Sequence, residues 1–233
     1  YDNKKKRIKY IASSKPEVDP KTMARVEPFI LKARDGLKMY GQLTIPKNVV
    51  EKNLPLVVYP HGGPYGVADR WGWDSRAQVL ASRGYLVMQL NFRGSGGYGN
   101  DFMEAGYKEW GAKMQDDLTD ATYWAINNGL ADPKRICIHG ASYGGYASMN
   151  AVVKEPDLYK CSIPDAGVYE MKHQWDEADS FKGYKGSDRK LMYMDRTIGG
   201  YSMVEERSPV YHVNKLKADL LIVHGGADKR VPI

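Results

Sequence analysis

The chain has 233 residues, 42% hydrophobic and 27% charged, enough for one compact domain with a sizeable core and too apolar for wholesale disorder. A mean hydropathy of −0.54, the lack of any run of about 18 apolar residues, and first thirty residues without an apolar signal-peptide core exclude a membrane-spanning helix and a visible signal peptide. The net charge of +6 raises a nucleic-acid reading, but it is concentrated at one end. Residues 1–25 hold Lys4, Lys5, Lys6, Arg7, Lys9, Lys15, Lys21 and Arg25 against Asp2, Glu17 and Asp19, and no aromatic residues interleave at stacking intervals. A solvated connector explains such a stretch better than a phosphate grip, so no nucleic-acid partner is expected.

In chain order, 1–25 mixes Lys, Ser, Pro and Asp without periodicity and reads as a linker or the tail of a preceding domain, with the domain proper over 26–233. Runs over 28–34 and 37–45 are β-prone and flank Asp35-Gly36, a dipeptide that supplies the positive φ of a hairpin turn. Short apolar runs then alternate with helical patterns: a strand over 54–59, a helix over 75–82, a strand over 85–90, a helix over 113–127, a strand over 135–139, a helix over 143–153 and a strand over 159–163. An aromatic-rich, irregular insertion over 168–211 precedes a final strand over 220–224. Continuous apolar strands, each followed by a crossover helix, predict an α/β domain whose mainly parallel sheet is covered on both faces and opens with an antiparallel hairpin. Cys137 and Cys161 sit within two of these apolar runs and are expected to be unpaired, each acting as a small hydrophobe.

The richest segment is Ile136-Cys137-Ile138-His139-Gly140-Ala141-Ser142-Tyr143-Gly144-Gly145, a strand, a Gly-x-Ser-x-Gly and a helix. The pattern is weak as letters and strong in this context. A strand-to-helix turn this tight strains the nucleophile's backbone and leaves no room for side chains at Gly140 and Gly144. Ser142 is therefore the candidate nucleophile, and the Tyr143 N–H at the helix start can donate to an oxyanion. The bland alternative is a glycine-rich turn with an N-capping serine. A serine hydroxyl needs a histidine base oriented by a carboxylate, in the chain order Ser, Asp or Glu, His. The run ending in His224-Gly225-Gly226-Ala227-Asp228 makes Asp228 the candidate carboxylate, although an aspartate there could merely cap a turn. All five histidines (His61, His139, His173, His212 and His224) precede it. None is expected to be the base, which is expected beyond residue 233 together with the final strand and helix.

The strand over 54–59 leads into Pro60-His61-Gly62-Gly63-Pro64, where hydrolases of this design place a second oxyanion donor. The run Asn91-Phe92-Arg93-Gly94-Ser95-Gly96-Gly97-Tyr98-Gly99 mimics a nucleotide loop, yet no helix opens within its glycines and no Lys-Ser or Lys-Thr follows. These two segments, with Gly140-Ala141-Ser142-Tyr143-Gly144-Gly145-Tyr146 and His224-Gly225-Gly226-Ala227-Asp228, in this order and spacing, resemble the catalytic domain of the prolyl oligopeptidase family of serine peptidases. The likeness covers about residues 27–233 and is nearest to the branch of acylaminoacyl peptidases and bacterial dipeptidyl aminopeptidases. It implies an α/β-hydrolase fold with Ser142 as nucleophile, Asp228 orienting the histidine, and the backbone N–H groups of Tyr143 and Gly63 as the oxyanion hole. It also implies short peptide substrates, no metal or other cofactor, and an N-terminal β-propeller whose exit segment would be 1–25. Prolyl oligopeptidase proper places a tyrosine at the position of His61, which favours the acylaminoacyl branch.

The expected chemistry is peptide hydrolysis through an acyl-enzyme on Ser142, with a carboxylesterase of the same fold and a non-catalytic binding module as competing readings. Ala166, Val168 and Tyr169, leaving the strand nearest the nucleophile, are candidates for the first specificity pocket, while Trp175, Phe181, Tyr184 and Tyr193 are expected mostly to form the insertion's own core. Without the histidine and the closing elements, the 233 residues alone are expected to hydrolyse peptides poorly and, with an unpaired sheet edge, to self-associate into a homo-oligomer or lose stability. Compartment stays open between cytoplasm and periplasm, because unpaired thiols suit the first and any signal peptide would lie before residue 1.

Overall fold

The computed structural model describes residues 2–8, 10–13, 15–182 and 188–233. Seven strands form one sheet: β1 (Arg25–Lys32), β2 (Lys38–Ile45), β3 (Leu54–Val58), β4 (Leu86–Asn91), β5 (Ala131–Ala141), β6 (Cys161–Asp165) and β7 (Asp219–Leu220), in the spatial order β1-β2-β4-β3-β5-β6-β7. The first two pairings in space, β1 with β2 and β2 with β4, are antiparallel, and all others are parallel. The hairpin turns where Asp35-Gly36 predicts it. Gly36 has φ 88°, a left-handed value at which a side chain would be strained.

Eight helices accompany the sheet among the described residues: α1 (Ser75–Ala81), α2 (Asn100–Glu104), α3 (Lys113–Asn127), α4 (Tyr143–Lys154), α5 (Met171–Glu177), α6 (Asp179–Lys182), α7 (Asp188–Ile198) and α8 (Val204–Arg207). The Asp74 side chain caps α1 by accepting from the Ala77 N–H, which satisfies one of the orphan donors of the first turn. Every residue of β4 is buried, as are four of the five in β3, so both sheet faces are covered, as expected for central parallel strands. An aromatic group joins the partly buried Trp110 to the buried Phe92, Tyr143 and Tyr146. Trp110 stands 4.6 Å from Tyr143 and 5.0 Å from Tyr146, ring centroid to ring centroid, and Phe92 5.4 Å from Tyr143. Arg93, leaving β4, forks onto Asp117 of α3 (2.7 Å) and Asp35 of the hairpin turn (2.8 Å). That guanidinium thereby ties the antiparallel edge to the parallel centre, and its hydrogen bonds hold the Asp35 carboxyl down at about 2.

Two expectations are corrected. Cys137 and Cys161 form a disulfide with Cα atoms 4.6 Å apart. The reason is register: β5 and β6 pair in parallel with Cys137 opposite Cys161, which brings two side chains of one sheet face within bridging distance. The insertion, read as irregular, is largely helical, since α5 to α8 all lie within it. Its aromatic residues masked an amphipathic pattern in which Met171, Trp175, Met194, Ile198 and Val204 turn inward. The final strand is regular only over Asp219–Leu220. Its ladder nevertheless continues through Leu221 N–H to Ser162 O, Val223 N–H to Pro164 O and Ala166 N–H to Val223 O.

Candidate active site

The turn between β5 and α4 places Ser142 at φ 60°, ψ −120°, a backbone that non-glycine residues rarely adopt and that persists only where its surroundings over-determine it. Here they do. The Ser142 N–H donates to Asp165 O at 2.9 Å and its carbonyl accepts from Tyr146 N–H at 3.0 Å. Close backbone packing explains the glycines: a Cβ on Gly140 would stand 2.6 Å from Pro60 O, and one on Gly145 2.5 Å from Asp165 O. The Ser142 side chain makes no capping hydrogen bond, so its hydroxyl is not consumed in ending the helix. Tyr143, as the first helical residue, has a backbone N–H without an intrahelical acceptor.

The loop after β3 lies against this turn. A Cβ on Gly62 would be 3.1 Å from Ala141 O and 4.0 Å from Ser142 Oγ, which places the Gly62-Gly63 backbone beside the nucleophile. Gly63 has φ 120°, open to glycine and strained for other residues. Gly63, Ser142 and Tyr143 line one cavity of about 530 Å³ whose apolar walls include Val168, Met171 and Trp175. Of the three pocket candidates, Val168 lines the cavity, whereas Ala166 and Tyr169 do not. Ala166 instead joins the β6 end to Val223, and the Tyr169 hydroxyl accepts from Gly167 N–H at 3.2 Å. Tyr193 lines the cavity as well. Tyr184 and the side chain of Phe181 lie outside the described residues.

Asp228 sits in the loop after β7. Because Ser142 N–H bonds to Asp165 O and Ala166 N–H to Val223 O, the elbow after β5 and this loop after β7 flank the end of β6 and lie at the same carboxyl edge of the sheet. Asp228 Oδ1 accepts from Arg230 N–H (2.8 Å) and Val231 N–H (2.9 Å). These bonds hold its carboxyl below the usual carboxylate range, the Val231 amide contributing most. The carboxylate thus does cap its own turn, and the same loop sends Arg230 and Val231 to the cavity.

Each histidine bonds a backbone carbonyl through one ring nitrogen: His61 to Gly62 O, His139 to Ile163 O, His173 to Ile233 O, His212 to Glu206 O and His224 to Val231 O. Among the described residues, none is hydrogen-bonded to Ser142. Nor do three or more His, Cys, Asp or Glu side chains converge as metal ligands there. Sequence reasoning missed the cavity residues Trp110, Met171, Gln174 and Arg230. Only Arg230, two positions after the candidate carboxylate, carried any local signal.

With this geometry in view, comparison with known proteins is direct. The family model described as "Prolyl oligopeptidase family" matches residues 71–233. A dipeptidyl aminopeptidase BIII from Pseudoxanthomonas mexicana is 34% identical over 239 residues, covering 99% of this chain and 34% of that protein. Among solved structures, a puromycin-hydrolyzing peptidase of Mycobacterium tuberculosis superposes with a TM-score of 0.83 at 26% identity, covering 92% of this chain and 33% of the other. The Pyrococcus horikoshii acylaminoacyl peptidase superposes with a TM-score of 0.79 at 27% identity, covering 90% and 33%. The chain therefore spans about a third of the length of the relatives it matches. The sheet order, the elbow and the matched family region together place it: this chain belongs to the prolyl oligopeptidase family of serine peptidases, with an α/β-hydrolase fold.

Proposed function

We propose that this chain carries the nucleophile and oxyanion hole of a serine peptidase that cleaves short peptides. The observation that carries the reading is Ser142, held at positive φ with an uncapped hydroxyl in the wall of a largely apolar cavity. In the reaction, Ser142 Oγ attacks the scissile carbonyl while its proton passes to a histidine. The tetrahedral oxyanion accepts hydrogen bonds from the Tyr143 and Gly63 N–H groups. Collapse breaks the C–N bond, the imidazolium returns the proton to the leaving amine, and water then cleaves the acyl-enzyme by the same steps. Asp228 orients the imidazole. Since the five histidines here bond elsewhere, the base is assigned to additional sequence of the kind that makes up two thirds of the relatives' length.

The apolar walls formed by Val168, Met171 and Trp175 suit an apolar residue on the acyl side of the bond, while Arg230 at the cavity is ion-paired through Nε with Asp179 at 2.9 Å. Relatives named as dipeptidyl aminopeptidase and acylaminoacyl peptidase support a peptide rather than a simple ester. The described residues of 1–25 are mostly exposed and the segment is basic, which fits the exit segment of a preceding domain such as a β-propeller. The test is turnover of peptide anilides and of simple esters by the native polypeptide that contains this chain and by its Ser142→Ala variant. Anilide turnover lost by more than about 10³-fold in Ser142→Ala is expected. Ester turnover without anilide turnover would point to an esterase, and full activity in Ser142→Ala would overturn the reading.

A further inference from the structure

The carboxylate of Asp228 is held by two peptide groups, and those groups are in turn held by the insertion. Asp228 Oδ1 accepts from the N–H of Arg230 at 2.8 Å and of Val231 at 2.9 Å. These N–H groups belong to the Lys229–Arg230 and Arg230–Val231 peptides, both trans. In a trans peptide the C=O and N–H point in opposite directions, so each carbonyl faces away from the carboxylate. Both carbonyls are taken up by the insertion: Lys229 O accepts from the Asp179 N–H at 2.7 Å, and Arg230 O from Gln174 Nε2 at 2.8 Å. Only the amide nitrogen can donate to a carbonyl, which fixes the orientation of the Gln174 side chain. Asp179 adds an ion pair, its Oδ1 standing 2.9 Å from Arg230 Nε.

Strand pairing carries the chain as far as Val223, opposite Asp165. The exposed Gly225 and Gly226 follow, and consecutive residues without a Cβ let a backbone turn at little cost. The direction of the loop beyond them therefore depends on the bonds its peptides make. His224 Nε2 closes the base of the loop on Val231 O at 2.8 Å, which is the carbonyl after the two peptides that hold the carboxylate. Gln174 lies on α5 at a spacing that shares one helix face with Met171 and Trp175, and all three line the cavity beside Ser142. The helix that walls the cavity thus also grips the carboxylate loop. We propose that Gln174 is a positioning residue for hydrolysis: by holding the Arg230 carbonyl it aims the Val231 N–H, and together with the Asp179 N–H on the neighbouring peptide it sets the direction in which Asp228 presents its carboxylate to the catalytic histidine. The inference rests on the peptidase reading above, in which Asp228 orients the imidazole.

The experiment is a double-mutant cycle on anilide hydrolysis by the native polypeptide containing this chain, using Gln174→Met, Asp228→Ala, the two combined, and Ser142→Ala as the blank. Methionine keeps the length of glutamine and deletes its N–H. Gln174→Met is expected to lower kcat about tenfold, with KM within about twofold and the melting temperature retained, because a small misplacement of a catalytic group is costly. Asp228→Ala is expected to cost about 10⁴-fold. The combined variant decides. A residue that acts only through Asp228 has nothing left to lose in its absence, so the pair should match Asp228→Ala within about twofold. A further tenfold loss in the pair would mean that Gln174 acts on the substrate from the cavity wall, and it overturns the proposal, as does unchanged kcat in a folded Gln174→Met. Should Gln174→Met fail to fold, Gln174→Asn, which draws the amide back by one methylene, takes its place in the cycle. Full activity in Asp228→Ala beside a dead Ser142→Ala removes the role of Asp228, and this inference with it, while the serine peptidase reading stands. An active Ser142→Ala overturns both.

Discussion

Gly144, two residues after the nucleophile, packs directly onto the carbonyl of Pro60, so that a Cβ built on it would stand 2.3 Å from that oxygen. The elbow and the oxyanion loop are therefore fitted backbone to backbone, and neither can yield to a methyl group without moving the other. Gly144→Ala is expected to destabilise the fold by about 3 kcal/mol through overpacking, lowering Tm by roughly 6–12 °C for a domain of this size. Scanning calorimetry would check this, and a shift under about 2 °C would show that the two loops yield independently.

The Arg93 clamp gives two unequal carboxylates on one guanidinium. Asp117 is fully buried, whereas the Asp35 side chain retains 39% of its exposure. Removing Asp117 leaves a buried charge with its best partner gone, so Asp117→Ala is expected to cost about 3–5 kcal/mol. Asp35→Ala removes a partner that water can replace and should cost no more than about 1 kcal/mol. Urea unfolding of both variants would measure the difference, and equal losses would contradict this ranking.

Asp69 offers a pH dependence. Burial pushes its carboxyl up to about 7, and Oδ2 is buried without a hydrogen-bond partner among the described residues. The unfolded group releases its proton near 3.8, so between those values the native state binds more protons and stability falls as pH rises. Asp69→Asn should flatten that slope and gain about 1–3 kcal/mol at pH 8, with little change at pH 4. Denaturant midpoints at the two pH values would test the sign, and a variant less stable at pH 8 would refute it.

Val168 stands in the cavity wall and is itself buried. Val168→Phe should fill the space beside Ser142 and lower kcat/KM for substrates with a large apolar residue before the scissile bond by about tenfold or more relative to alanine there. A series of anilides differing only in that residue reads the effect. Unchanged selectivity would move the specificity pocket elsewhere.

The nucleophile elbow was legible in the sequence because its pattern is local. A strand, two spaced glycines and a helix start are contiguous, so the pattern can be read without knowing that Pro60 and Asp165 supply the contacts that hold the turn. The alternation of apolar runs with helical patterns likewise exposed β3 and β4, since burial on both faces of a central parallel strand writes itself into nearly every position of that strand. The site around the serine was not legible, because its parts meet only through tertiary packing. Trp110, Val168, Trp175 and Arg230 converge on one cavity from segments with no shared periodicity: the loop before α3, the loop after β6, helix α5 and the loop after β7. The cysteines pair because the parallel register sets Cys137 opposite Cys161, a choice made between strands rather than within either. His61 and Ser95, 34 positions apart, meet because β3 and β4 run side by side and deliver their loops to one edge, so their hydrogen bond depends on strand order, which no local pattern encodes.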